Sequence, residues 1–151
     1  NCRKYRYSLT RSWNSANGCV LFIGLNPSIA DETIDDPTLT RCINFAKDWG
    51  YGGLIMVNLF AYMSTYPTDL KKVKLPIGNN NNKHILKNHQ KSQLTVAAWG
   101  NDGHFLKRDK EVLKIICNPM CLNINKSGQP AHPLYQKKDQ ELINLPTSYL
   151  A

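Results

Sequence analysis

Leu21-Phe22-Ile23-Gly24-Leu25-Asn26-Pro27-Ser28 is an apolar strand that stops abruptly in Gly-x-Asn-Pro-Ser. The apolar run extends from Val20 to Leu25 without a break, the pattern of a strand covered on both faces in the middle of a sheet. Pro27 fixes its own φ and pushes Asn26 toward an extended conformation. A strand ended in this way delivers one rigid amide to the rim of the sheet, where it can position a water or a ligand. Asn-Pro-Ser is equally ordinary turn chemistry, so this segment alone reads either way.

Working outward, residues 3–13 read as a strand or hairpin arm, with Tyr5, Tyr7 and Leu9 alternating with Lys4, Arg6 and Ser8. Residues 14–18 are a turn. Beyond Ser28 lies an acidic loop through Asp31, Glu32, Asp35 and Asp36. A helix follows, with Asp36 as a candidate N-cap, Pro37 at its first position and a glycine stop around Trp49-Gly50-Tyr51-Gly52-Gly53. Further strands are expected at Leu54 to Phe60, Leu94 to Trp99 and Met120 to Ile124, with helices at His84 to Lys91 and Phe105 to Ile116. The asparagine run 79–82 is a loop or the opening of a helix. Strands alternating with helices predict an α/β class: a single domain over residues 1–151 with a mainly parallel central sheet flanked by helices.

The 151 residues suffice for one domain with a sizeable core and no disulfide or metal staple. No apolar run reaches membrane-spanning length, and no signal-peptide pattern is seen. Five scattered cysteines, Cys2, Cys19, Cys42, Cys117 and Cys121, fit buried reduced thiols in a cytoplasmic protein better than a disulfide framework. Cys117 and Cys121 lack a second ligand pair, so no metal site is expected, nor any cofactor. The net charge of +8 permits a phosphate-bearing partner. Lys71, Lys72, Lys74, Lys137 and Lys138 read as solvated surface. The cluster Arg3, Lys4, Arg6 and Arg11 is the better phosphate candidate, because guanidinium groups bind phosphate bidentately.

Ligands of open α/β sheets bind outside the carboxyl ends of the strands. Four such ends here carry distinctive chemistry: Asn26-Pro27-Ser28, then Asn58 with Phe60 and Tyr62, then Trp99-Gly100-Asn101-Asp102, and finally His132-Pro133. Amides, aromatics and a histidine on neighbouring ends make a pocket for a flat, hydrogen-bonding ligand, and a nucleobase fits that description.

Arg6-Tyr7-Ser8-Leu9-Thr10-Arg11, Leu25-Asn26-Pro27-Ser28-Ile29-Ala30-Asp31, Asp36-Pro37-Thr38, Trp49-Gly50-Tyr51, Asn58-Leu59-Phe60-Ala61, Trp99-Gly100 and His132-Pro133-Leu134 together resemble a bacterial and phage family, domain of unknown function number 1643. That resemblance implies no biochemical activity. More distantly, the order of motifs is similar to the uracil-DNA glycosylase superfamily. Gly24-Leu25-Asn26-Pro27 looks like the form found in its mismatch-specific branch. The likeness implies a uracil-glycosylase-like fold, Asn58 as a base reader and His132 as stabiliser of a departing base. Leu134 departs from the small polar residue usual there, and no clear DNA-wedging loop follows.

The resemblance therefore sets an expectation of nucleobase or nucleotide recognition, with N-glycosidic hydrolysis as the associated chemistry. Such a reaction needs a water below the sugar, a pinned base and a hydrogen-bond donor to the leaving group. Asn26 would orient the water and His132 would serve as donor. Gly24, Leu25, Pro27, Ser28, Asn58, Phe60 and Trp99 would form the base site, and Arg6 and Arg11 would meet phosphates. Asp31, Asp35 or Asp36 would supply any carboxylate. The alternatives are a non-catalytic binder that sequesters a nucleotide signal, as phages use against host defence, and a DNA- or RNA-binding accessory protein.

Overall fold

The computed structural model describes residues 4–28 and 35–146. Cys2, Arg3, Asp31 and Glu32 lie outside them. In chain order the elements are β1 (Leu9–Ser12), β2 (Val20–Gly24), α1 (Pro37–Asp48), β3 (Gly53–Asn58), α2 (Asn81–Lys91), β4 (Leu94–Ala97), α3 (Arg108–Leu113), β5 (Met120–Cys121) and β6 (Ile143–Asn144). Short 3-10 turns intervene, including Pro67–Lys72, Asn101–Lys107 and Pro133–Tyr135.

The sheet has the order β1-β3-β2-β4-β5-β6. It is mixed, which corrects the expectation of a mainly parallel sheet. β3, β2, β4 and β5 run parallel, while β1 and β6 close the two edges antiparallel. The reason lies in the connections. Parallel neighbours need a crossover, usually a helix. α1, α2 and α3 each separate two strands of the parallel group. No α-helix lies between β5 and β6, so the chain turns back and pairs antiparallel.

β2 occupies the middle, as its unbroken apolar run requires. Val20 and Phe22 pack with Leu39, Cys42 and Phe45 on the α1 face. Leu21 and Ile23 pack with Ile85 of α2 and Val112 of α3 on the other. α1 begins and ends as its sequence dictates. Asp36 Oδ1 accepts from Leu39 N at 2.7 Å and Pro37 takes the first position. At its end Gly50 adopts φ +88°, letting the Gly50 and Tyr51 amides donate to Lys47 O and Ala46 O.

Several boundaries differ from the sequence expectations. The N-terminal arm contributes only β1 and an isolated bridge between Tyr5 and Tyr62. α2 opens at Asn81, within the asparagine run. α3 is shorter than Phe105 to Ile116. Phe105 leaves helical geometry to pack on Phe60, with ring centroids 5.5 Å apart, and Leu106 and Lys107 both take φ +55°. β3 and β4 stop at Asn58 and Ala97, and β5 is two residues long. Cys117 is exposed rather than buried, whereas Cys42 and Cys121 are buried. Among the described residues no helix is long and apolar enough to cross a membrane.

Candidate functional site

The carboxyl ends of β2, β3 and β4 open onto one cleft of about 470 Å³. Gly24, Leu25, Asn26, Pro27, Ser28, Asn58, Trp99, His132 and Arg6 all line it, so nine of the eleven sequence-read residues converge. Phe60 and Arg11 are not among them. β3 ends at Asn58, and the turn that follows drops Phe60 into the core against Phe105, fully buried. Arg11 lies on β1 and pairs with Asp35 at 2.8 Å.

The chain leaving β3 runs beside the chain leaving β2. Leu59 N and Phe60 N donate to Gly24 O and Leu25 O, both at 2.9 Å, and Ser64 N donates to Pro27 O at 3.1 Å. This brings the 62–64 loop against Asn26. Asn26 Nδ2 donates to Ser64 Oγ at 2.8 Å and to the carbonyls of Tyr62 and Ser64 at 3.3 Å. Those acceptors fix the amide's orientation. Its Oδ1 has no hydrogen-bond partner among the described residues and remains as an acceptor.

Asn58 is 5 % exposed and lines the cleft, yet its carboxamide has no hydrogen-bond partner among the described residues. Its backbone is pinned from behind, where Asn81 Nδ2 donates to the carbonyls of Asn58 and Leu59, each at 2.9 Å. Arg108 Nε also donates to Leu59 O, at 2.6 Å. Gly24 leaves the amide its room, since a Cβ there would stand 2.7 Å from Asn58 Oδ1.

Trp99 is a wall and not a stacking platform. It is 1 % exposed, its Nε1 donates to Gln129 Oε1 at 2.8 Å, and Gly103 packs on the indole so closely that no Cβ fits. Gly100, at φ +76°, turns the chain so that its N–H donates to Pro130 O at 3.0 Å. That bond ties the end of β4 to the loop carrying His132.

His132 Nδ1 accepts from Leu134 N at 3.2 Å. A backbone N–H can only donate, so the ring proton sits on Nε2. Burial lowers the His132 pKa below the usual histidine value, partly opposed by the negative charge of Asp36. The ring is thus a neutral donor. Asp36 also lines the cleft, where it accepts from Ser28 Oγ while capping α1. Asp31 falls outside the described residues.

Met56 and Ser64 also line the cleft, and Asn81 stands behind Asn58, though none of the three was expected there from the sequence. The one available signal was the asparagine run, where a buried residue at the start of a helix marks a structural amide. Among the described residues no group of three His, Cys, Asp or Glu could hold a metal ion.

No curated protein and no solved structure matches the chain. A family model does match, over residues 6–134, and it spans every described cleft residue except Tyr135. The chain belongs to the family described as Protein of unknown function (DUF1643).

Proposed function

We propose that the cleft recognises a nucleobase, presented as a nucleotide, and that Asn58 reads its edge. The Asn58 carboxamide carries this reading: it belongs to a residue only 5 % exposed, it opens into the cleft, and it has no hydrogen-bond partner among the described residues. An amide open to the cleft exchanges solvent for a ligand that offers an adjacent donor and acceptor, and base edges offer such pairs. Asn26 Oδ1 adds an acceptor, His132 Nε2–H adds a donor, and Arg6 brings a guanidinium suited to phosphate. Asn58, Asn26 and His132 follow one another across a single sheet edge, and that clustering supports a uracil-glycosylase-like architecture.

A second reading, hydrolysis of the N-glycosidic bond, is favoured by one specific observation. A neutral His132 and the Asp36 carboxylate line the same cleft. His132 would donate to the departing base while Asn26 Oδ1 holds the attacking water. Without hydrolysis the same contacts make a sequestering binder. A DNA- or RNA-binding accessory role draws only on the +8 charge.

The test is a panel of free nucleotides, uracil-containing DNA and mismatched DNA, followed by melting temperature and by chromatography of released base. A nucleotide that raises the melting temperature of the wild type, and does so less in Asn58→Ala, supports recognition. No rise with any member of the panel refutes it. Base release that disappears in His132→Ala adds hydrolysis to binding.

A further inference from the structure

At the other end of β4 from the cleft, three elements bring together a thiol, an imidazole and a hydroxyl. His89 lies in the last turn of α2, Thr95 is the second residue of β4, and Cys117 sits in the turn between α3 and β5. His89 Nδ1 is 2.7 Å from Thr95 Oγ1. His89 Nε2 is 3.4 Å from Cys117 Sγ and accepts from the Cys117 backbone N–H at 3.1 Å. That N–H identifies Nε2 as the unprotonated nitrogen, so the Nδ1 proton goes to Thr95. The single lone pair of His89 Nε2 is therefore shared between the Cys117 amide and the Cys117 thiol, and the thiol proton moves onto it as the amide contact opens. Nucleophile, base and a third group orienting the base are all within hydrogen-bond reach, the arrangement that activates a thiol.

The thiol is also presented to solvent. Cys117 is exposed, and Asn118 at φ +52° followed by Pro119 turns the chain sharply behind it. The other described cysteines lack this combination. Burial pushes the Cys42 and Cys121 thiols up, Cys121 to about 11. Cys19 is half-buried, with the Ser92 hydroxyl 3.6 Å from its sulfur and no histidine bonded to it among the described residues.

We propose that Cys117 is a modification site: a nucleophilic thiol that uses His89 as its base and takes up a low-molecular-weight disulfide. His89 Nε2 accepts the thiol proton. The Cys117 thiolate attacks one sulfur of the disulfide, forming a new S–S bond as the old one breaks. The departing thiolate takes the proton back from His89. One thiol and one disulfide are consumed, and one mixed disulfide and one small thiol are formed. Thr95 is a positioning residue that holds the imidazole through Nδ1–H. The site shares no residue with the cleft and is independent of the nucleotide reading.

The experiment exposes the intact chain to glutathione disulfide at pH 7 and maps the mixed disulfide by peptide mass spectrometry. Cys117 is expected to react at least about tenfold faster than N-acetylcysteine under the same conditions, and ahead of Cys19. His89→Gln is expected to bring the rate down to that of N-acetylcysteine, and Thr95→Val, which spares Nε2, to an intermediate value, with circular dichroism reporting the fold. A wild-type Cys117 no faster than N-acetylcysteine overturns the proposal without recourse to a variant. So does a folded His89→Gln that reacts as fast as the wild type.

Discussion

Gly24→Ala separates the cleft's recognition from the fold that carries it. A Cβ at position 24 would stand 2.7 Å from Asn58 Oδ1 and 3.7 Å from Met56 Sδ, where ordinary contact begins at 3.4 Å. The Asn58 amide must therefore withdraw by about 0.7 Å, the difference between those two distances. A shift of that size spoils a paired hydrogen bond to a base edge, worth about 1–3 kcal/mol, so affinity falls about tenfold or more. The fold itself loses little, because alanine is favoured over glycine inside a strand by about 0.5–1 kcal/mol, which offsets the strain of moving one amide. The assay is thermal unfolding with and without the nucleotide that binds the wild type. At a concentration of about 100 Kd a ligand adds about 2.7 kcal/mol, or about 5–11 °C for a chain of this length. A tenfold weaker variant keeps about half of that rise. An unaltered rise in Gly24→Ala would refute the account of how Asn58 is placed.

Three further outcomes follow from the same geometry. Arg108 is fully buried with its Nη2 unpaired among the described residues, and its only described ion pair is to half-exposed Glu111 at 2.7 Å. Glu111→Ala should therefore cost about 1–2 kcal/mol in urea unfolding, more than an ordinary surface substitution, while Arg108→Met should be near neutral. Burial lowers the pKa values of His84, His89 and His132 below 6.5, so in the window beneath that value the unfolded chain binds more protons than the folded one. Stability is expected to fall as pH drops from 7 to 5.5, less steeply in His132→Gln; urea midpoints that rise over this range would contradict those environments. Asp36→Ala should cost about 1 kcal/mol through loss of the α1 cap, whereas Asp36→Asn should keep most of it, as read from denaturant midpoints.

The parts of the fold that were legible in the sequence are those set by local chemistry. The unbroken apolar run of β2, the cap at Asp36 and the left-handed glycine at Gly50 each have one inexpensive conformation. The convergence of Asn26, Asn58 and His132 was legible because a parallel arrangement of β2, β3, β4 and β5 puts their carboxyl ends on one edge, with His132 on the loop that follows β5. What escaped was decided by tertiary packing. Phe60 follows Asn58 by two residues and would share its face in a continuing strand, but β3 stops and the ring goes to Phe105. The helical pattern of Phe105 to Ile116 is broken because two exposed residues take left-handed backbone to let Phe105 dock. The antiparallel edges have no signature in a two-residue strand such as Ile143-Asn144. Trp99 was expected in the base site and does line the cleft, but its indole is spent on Gln129 and Gly103.

The central claim is that a base edge pairs with the amide that Asn58 opens into the cleft. The most direct measurement is the side-chain amide signal of Asn58 in a nitrogen–proton correlation spectrum, assigned by its loss in Asn58→Ala, while nucleotides are titrated into the protein. The account predicts that one nucleotide shifts that signal in a saturable way and moves the Asn26 amide and the His132 ring with it. A signal that stays fixed through the whole panel, or a nucleotide that binds while leaving Asn58 untouched, would contradict it.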